Sequence, residues 1–305
     1  MPSLPSSDFL MLQLRLKGIW QRKSLGQHFL FDDGILARIA DATGADATSV
    51  AVEIGPGPGS LTAQLAARAR VVAAVELDRR LEPLHADVFG PHPQVHFQYA
   101  DALRTDLPAL AREQMAATGA TSAVLTGNLP FQITSPLLFA QCGPDVPWRR
   151  IAVMVQKEVA DRIAARPACK AYGILTVKLA AWWRFVERFE VPAEMFVPPP
   201  RVHGSVIVLE PDASLLPPDV VTWWPGFSEF VDAAFAQRRK KMLNSLAGRW
   251  PAFPGREAGE AVLIAAGVDI GARAEELTLA QFIQVFDGMR GKGNHGLSAD
   301  GAVER

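Results

Sequence analysis

The sequence predicts an α/β fold: a seven-stranded sheet covered by helices, followed by a small all-α domain. Three observations carry this. Short apolar runs alternate with helix-spaced segments through most of the chain. A glycine-rich turn closes the first of those runs and opens a helix. Beyond Asp219 the strand pattern stops and only helical periodicity continues.

The elements follow in order. Residues 1–22 read as a flexible N-terminal extension. Its apolar patch, Phe9 to Leu12, precedes Arg15, Lys17, Arg22 and Lys23, the reverse of the order in an export signal, and Met11 offers a second candidate start. A first domain is expected over 23–212. Ile35 to Ala42 has helical spacing; the predicted strands are 49–54, 71–75, 95–99, 123–126, 151–155, 185–191 and 205–209, with helices between them. This alternation predicts a parallel sheet. Met195 to Pro200 is a stiff, proline-rich link between the last two strands. Glu210 to Asp219, rich in Pro, Asp and Ser, marks a boundary. A helical domain is expected over 213–288. There Phe227, Val231, Ala234, Phe235, Met242 and Leu246 recur at helical spacing, with the basic run Arg238 to Lys241 inside the same helix. Thr278 to Gln281 is a capping-box pattern opening a last helix, and 289–305 reads as a disordered tail.

Composition narrows the function classes. Of 305 residues, 49% are apolar and 21% charged, ordinary for a soluble globular chain. No apolar run approaches the ~18 residues of a membrane span. Two cysteines, Cys142 and Cys169, are too few for a disulfide framework or a zinc site, which predicts reduced thiols in a cytoplasmic protein with no metal. The net charge of −1 conceals two basic concentrations, Arg15 to Lys23 and Arg238 to Lys241, either of which suits a polyanion.

The chemistry lies at the strand ends. Glu53-Ile54-Gly55-Pro56-Gly57-Pro58-Gly59 closes the first predicted strand; its glycines allow unusual backbone angles and close approach of a ligand. The spacing is G-x-G-x-G, not the G-x-G-x-x-G of dinucleotide dehydrogenases. Glu76 ends the second strand, where an acid can bind the two hydroxyls of a ribose, and Asp101 ends the third, where a carboxylate can accept from an adenine amine. Together they describe an adenosine-containing ligand along the carboxyl edge of a sheet. The fourth strand runs into Asn128-Leu129-Pro130-Phe131: an amide, a stiff proline and an aromatic face, a combination that can hold a nucleobase.

These motifs resemble those of class I S-adenosylmethionine-dependent methyltransferases, and more narrowly the ribosomal RNA adenine N6-dimethyltransferases of the small-subunit KsgA/RsmA type. The resemblance rests on Lys23 to Leu30, Glu53 to Gly57, Glu76-Leu77-Asp78, Asp101-Ala102 and Asn128 to Phe131. It continues through Gln156 to Val159, Ala171 to Gly173, Phe196 to Val202 and Ala234 to Lys240, and so covers both expected domains. It implies a Rossmann-like class I methyltransferase sheet with S-adenosylmethionine as cofactor. His28, Leu30, Gly55, Gly57, Glu76, Asp101 and Asn128 would bind it. His28 and Leu30 belong to an arm that folds over the cofactor through main-chain groups, which need no imidazole base. Asn128, Leu129, Pro130, Phe131 and Phe196 would hold the target adenine. Phe131 stands where the family commonly has Tyr, so stacking is kept and a phenolic hydroxyl is not. Phe196 fits either a second stacking ring or a core residue. Arg238, Arg239, Lys240 and Lys241 would contact RNA phosphates. The implied reaction is dimethylation of two adjacent adenosines near the 3′ end of small-subunit rRNA, by a monomer acting on the small ribosomal subunit or its precursor. The alternatives are a large-subunit methyltransferase of the antibiotic-resistance type and a mainly non-catalytic ribosome-assembly factor.

Overall fold

The computed structural model describes residues 3–22, 25–130 and 132–291. Phe131 and residues 292–305 of the expected tail therefore lie outside the described residues. The chain divides into two compact units, one of Met1–Ile163 with Trp182–Asp212, the other of Ala164–Ala181 with Ala213–Arg305.

In the first unit, α1 (Ser7–Leu16), β1 (Phe29–Leu30), α2 (Asp33–Ala42), β2 (Ser49–Ile54), α3 (Ser60–Ala66) and β3 (Val71–Glu76) come first. Next are α4 (Glu82–Phe89), β4 (Val95–Tyr99), α5 (Leu107–Thr118), β5 (Ser122–Asn128), α6 (Thr134–Phe139), β6 (Trp148–Gln156) and α7 (Lys157–Ile163). After α8 (Ile174–Ala180), which belongs to the second unit, β7 (Trp183–Val191), β8 (Phe196–Val197) and β9 (Gly204–Pro211) complete the first. Seven strands form one sheet in the order β4-β3-β2-β5-β6-β9-β7. Every residue of β2 and β3 is buried, as required of Val, Ala and Ile strands covered on two faces. The pairs from β4 through β6 are parallel, but β9 runs antiparallel to both β6 and β7, so the sheet is mixed rather than parallel throughout. The reason lies in the link from β7 to β9. It holds β8 and a single 3₁₀ turn, with no crossover helix to bring the chain back in the same direction. From the β2–β5 pair, successive strands are laid down to opposite sides, so the carboxyl ends of β2 and β5 flank a crevice at the switch point.

Two expected boundaries are corrected. The expected flexible extension, residues 1–22, holds a packed helix over Ser7–Leu16. Ser6 caps α1 by accepting from the Phe9 N–H, and Leu10 and Leu14, one turn apart, are buried in the same core as Leu36, Ile39 and Val72. Ser7 Oγ also donates to Asp33 at 2.5 Å. Nor is 23–212 one domain, because Ala164–Ala181 packs with the helices that follow. Ala168 N–H donates to the Glu275 carbonyl (2.7 Å), Tyr172 Oη to the Leu277 carbonyl (2.8 Å), and Lys178 Nζ to Asp232 (2.8 Å).

The second unit adds α9 (Val220–Phe235), α10 (Met242–Ala247), α11 (Arg256–Ala265) and α12 (Leu279–Met289) to α8. Its core is aromatic: Trp223 stacks on Phe227 at 4.4 Å, and Phe230, Trp250, Phe282 and Phe286 pack edge-on or tilted around them. Thr278 and Gln281 form the expected capping box, but the last helix continues to Met289, which is buried, so the expected tail begins within α12. The basic run is not helical. The chain turns after Phe235, and the Met242 N–H is taken by the Ala272 carbonyl at 2.9 Å, so Arg238 to Lys241 lie in the turn between α9 and α10.

Candidate active site

A cleft of about 210 Å³ opens at the carboxyl ends of the parallel strands. It is lined by His28, Gly55, Gly57, Glu76, Asp101, Asn128, Leu129, Pro130 and Phe196, so the structure brings together most of the residues singled out in the sequence. Leu30 instead lines a smaller adjoining cavity with Glu53 and Ser60.

The glycine loop is held from several sides. Gly55 and Gly57 both have positive φ, +65° and +56°. At Gly57 a Cβ would also stand 2.9 Å from the Phe29 ring, so the arm that ends in β1 lies directly on the loop. The Gly57 N–H donates to Glu76 Oε2 (3.0 Å), and the Asp78 N–H donates to Glu76 Oε1 (2.7 Å). Each carboxylate oxygen keeps a further lone pair, which is what two vicinal ribose hydroxyls need. Burial pushes the Glu76 carboxyl upward, against these backbone donors. Asp101 accepts from the Leu103 N–H at 2.9 Å and is half-exposed at the rim.

At the end of β5, Gly127 is demanded by packing. With φ +149°, a Cβ there would fall 2.3 Å from the Ile54 carbonyl oxygen of β2. That close approach sets Asn128 beside the glycine loop. Asn128 Nδ2 donates to the His28 carbonyl (3.0 Å), which leaves Oδ1 as the side chain's acceptor. The Leu129 N–H is taken by the Met154 carbonyl at 3.0 Å.

The arm is latched at many points. Phe29 and Leu30 pair with Val197 and Phe196 in the β1–β8 ladder. His28 Nδ1 lies 2.7 Å from the Pro198 carbonyl, so that nitrogen carries the proton and donates. Gln27 Nε2 donates to Asp78 Oδ2 at 3.0 Å. Burial raises the Asp78 carboxyl, yet hydrogen bonds from Arg80 and Gln27 outweigh it and leave the group below the usual carboxylate range. Phe196 is 4% exposed and packs near Met154 and Gly204, so it is a core residue that also walls the cleft. Gln27, Phe29, Asp78 and Met154 are not among the sequence-predicted site residues. The first three lie within the motifs that carry the family resemblance, and Met154 is signalled only as one residue of an apolar strand.

Glu53 is the deepest acid. Burial, opposed by a hydroxyl hydrogen bond from Thr62 (2.6 Å) and reinforced by the Glu76 charge, pushes its carboxyl up to about 8, so it holds a proton at neutrality. Among the described residues no cluster of His, Cys, Asp or Glu could hold a metal ion, and no helix is long and apolar enough to cross a membrane.

The family model of the ribosomal RNA adenine dimethylases matches residues 19–290 of this chain. The chain belongs to that family. It is 39% identical over 269 residues to the ribosomal RNA small subunit methyltransferase A of Geobacillus kaustophilus, covering 88% of this chain and 90% of the relative. The protein of the same name from Shouchella clausii is 38% identical over 276 residues, 90% of this chain and 92% of that one. Among solved structures, the 23S rRNA methyltransferase ErmE superposes with a TM-score of 0.61 at 28% identity, over 86% of this chain and 99% of that one. A dimethyladenosine transferase from Plasmodium falciparum shares the fold with a TM-score of 0.69 at 23% identity, over 85% and 96%. The sheet is thus the Rossmann-like sheet of a class I methyltransferase, carrying a helical C-terminal part.

The second unit's basic turn divides in two. Arg238 is committed internally: Nε donates to Glu275 at 2.8 Å and Nη2 to the Tyr172 carbonyl at 2.9 Å and the Lys170 carbonyl. Arg239, Lys240 and Lys241 are exposed.

Proposed function

We propose that this protein methylates N6 of adenosines in small-subunit rRNA, dimethylating two adjacent bases near the 3′ end, with S-adenosylmethionine as donor. The carrying observation is the pairing of a ribose-ready acid and glycine loop, Glu76 and Gly57, with an Asn128 amide whose oxygen is left as acceptor. The residues fit the cofactor: Gly55 and Gly57 allow close approach, Glu76 suits the ribose, and Asp101 suits the adenine amine. When bound, the cofactor supplies an electrophilic methyl on a sulfonium.

The protein's own task is alignment. An exocyclic adenine amine is a poor nucleophile because its lone pair is delocalised into the ring. Acceptance of its two hydrogens by Asn128 Oδ1 and the Leu129 carbonyl favours a pyramidal nitrogen with its lone pair free to attack. The His28 carbonyl, by holding Asn128 Nδ2, keeps the amide from presenting its donor to the amine. The target base leaves its stack to reach the cleft and recovers part of that energy, ~1–3 kcal/mol, on an aromatic face supplied by Phe131 or Phe196. Arg239, Lys240 and Lys241 contact RNA phosphates, while Arg238 holds the turn that carries them. The protein works as a monomer in the cytoplasm on the small ribosomal subunit or its precursor.

The likeness to ErmE supports a second reading, action on the large subunit. One experiment separates the two: labelled S-adenosylmethionine offered with unmodified small or large subunits, the rRNA then digested and analysed. Dimethyladenosine from the small subunit alone is the expected result. Label in the large subunit selects the second reading, and tight binding with no label makes the protein an assembly factor.

A further inference from the structure

The glycine loop has a support that no motif announced. His85, on α4, is 2% exposed, and its ring lies flat on Phe97, 3.9 Å between centroids and 12° from parallel. Its Nε2 is 2.7 Å from the Gly57 carbonyl oxygen, and its Nδ1 is 2.8 Å from Tyr99 Oη. A carbonyl oxygen only accepts, so Nε2 carries the hydrogen; the neutral ring then offers Nδ1 as an acceptor, and the Tyr99 hydroxyl donates to it. Burial, opposed by the Gly57 bond, lowers the imidazole to about 4, which keeps the ring neutral at physiological pH. A leucine would carry no desolvation cost of its own but would leave the Gly57 carbonyl and the Tyr99 hydroxyl without these partners. A buried imidazole is tolerated only because both nitrogens are bonded.

We propose that His85 is a positioning residue for cofactor binding, setting the Gly57 turn through its carbonyl. The N–H of Gly57 belongs to the peptide plane before its Cα, and the carbonyl to the plane after it. Glu76 holds the first and His85 the second, so both planes around a residue at φ +56° are pinned. Release of the carbonyl lets the turn relax and moves the N–H away from Glu76. That disturbs at once the loop the cofactor approaches and the acid assigned to its ribose. The proposal rests on the cofactor reading above, and its test keeps the two apart.

The test measures S-adenosylhomocysteine binding to the full-length protein by calorimetry, without RNA. His85→Phe keeps a ring on Phe97 but removes the donor; His85→Gln restores an N–H close to the Nε2 position. We expect His85→Phe to weaken binding about tenfold and to raise KM for S-adenosylmethionine by a similar factor. KM for the ribosomal subunit should be unchanged, and His85→Gln should recover most of the loss. Wild-type affinity in His85→Phe overturns the proposal, as does equal impairment in both variants, which would indicate packing alone. Nitrogen NMR of the wild-type protein adds a check that needs no variant: His85 should be the neutral Nε2–H form at pH 7, and an Nδ1–H or charged ring overturns the assignment. If the wild-type protein fails to bind S-adenosylhomocysteine while its His85 shows the expected tautomer, the cofactor reading fails instead.

Discussion

Two turns in this protein, proposed to meet the cofactor and the RNA, are built oppositely. The turn after β2 is fixed at nearly every group: Glu76 holds the Gly57 N–H, His85 holds its carbonyl, and Phe29 covers its α-carbon. The turn after α9 is held by one side chain, Arg238, and by backbone bonds such as that of the Met242 N–H, while the side chains of Arg239, Lys240 and Lys241 stand in solvent. A small rigid ligand repays a preformed socket, because misplacement by an ångström spoils its hydrogen bonds. A phosphate backbone is recognised through charge and counterion release, which tolerate mobile side chains. The first turn should therefore respond sharply to single atoms, the second gradually to charge.

The largest expected effect lies beside the first turn. Asn128→Ala removes the acceptor proposed for the target amine and should lower kcat by about 10²–10³-fold, the usual scale for removing one hydrogen bond to a transition state. S-adenosylhomocysteine affinity should stay within a few-fold of wild type. Near-normal turnover in single-turnover assays would remove Asn128 from the chemistry and leave it a latch for the arm.

Gly57→Ala tests the socket itself. The new methyl meets the Phe29 ring at 2.9 Å and must occupy φ +56°, so the arm or the loop has to yield. Left-handed strain alone is of order 1–3 kcal/mol. Calorimetry should show S-adenosylhomocysteine affinity reduced at least tenfold with kcat less affected. An unchanged affinity would mean the arm does not need to lie on the loop.

Glu53→Gln should show a pH signature. The folded carboxyl titrates near 8 against an ordinary value of 4.5, because burial disfavours its charge. Between those values the folded state holds a proton that the unfolded state releases, so Glu53 makes stability fall as pH rises through that window. Glutamine keeps the shape and a partner for Thr62 without the ionisation. The variant should melt near wild type at pH 5 and roughly 5 °C or more higher at pH 8.5. Parallel melting curves for the two proteins across that range would refute the buried protonated acid.

Much of this was legible in the sequence for a physical reason. Strands β2, β3 and β5 are nearly unbroken apolar runs because both faces are covered, and β3 and β5 end on Glu76 and Asn128, the acid and the amide proposed to meet the ligands. What escaped depends on neighbours distant in sequence. Leu10 and Leu14 form a buried stripe on α1, but the cations after them dominate the local pattern. The antiparallel β9 is set by how the chain returns from β7, not by its composition. His85 looks like one polar residue on a short helix; its role exists only because Gly57, Phe97 and Tyr99 converge on it. Helical spacing of the flanking residues places the basic run inside α9, whereas the bonds of Arg238 and Met242 decide the turn.

That turn supplies the smallest and most discriminating prediction. Arg239→Ala with Lys240→Ala removes two solvated cations whose side chains the fold does not need. For every phosphate that goes unneutralised, the plot of log binding constant against log salt should flatten by about 0.7–0.9. Melting temperature should hold within about a degree, as surface substitutions rarely cost more than ~0.5 kcal/mol. Arg238→Ala should behave differently. It strips Glu275 of its partner and leaves the Tyr172 and Lys170 carbonyls without their donor. Stability should therefore fall by about 1–2 kcal/mol, while the salt slope changes less than in the double variant. If Arg238→Ala flattens the slope as much as the double variant and leaves the melting temperature untouched, the arginine is a phosphate ligand and the anchor is incidental. The two turns would then be more alike than their hydrogen bonds imply.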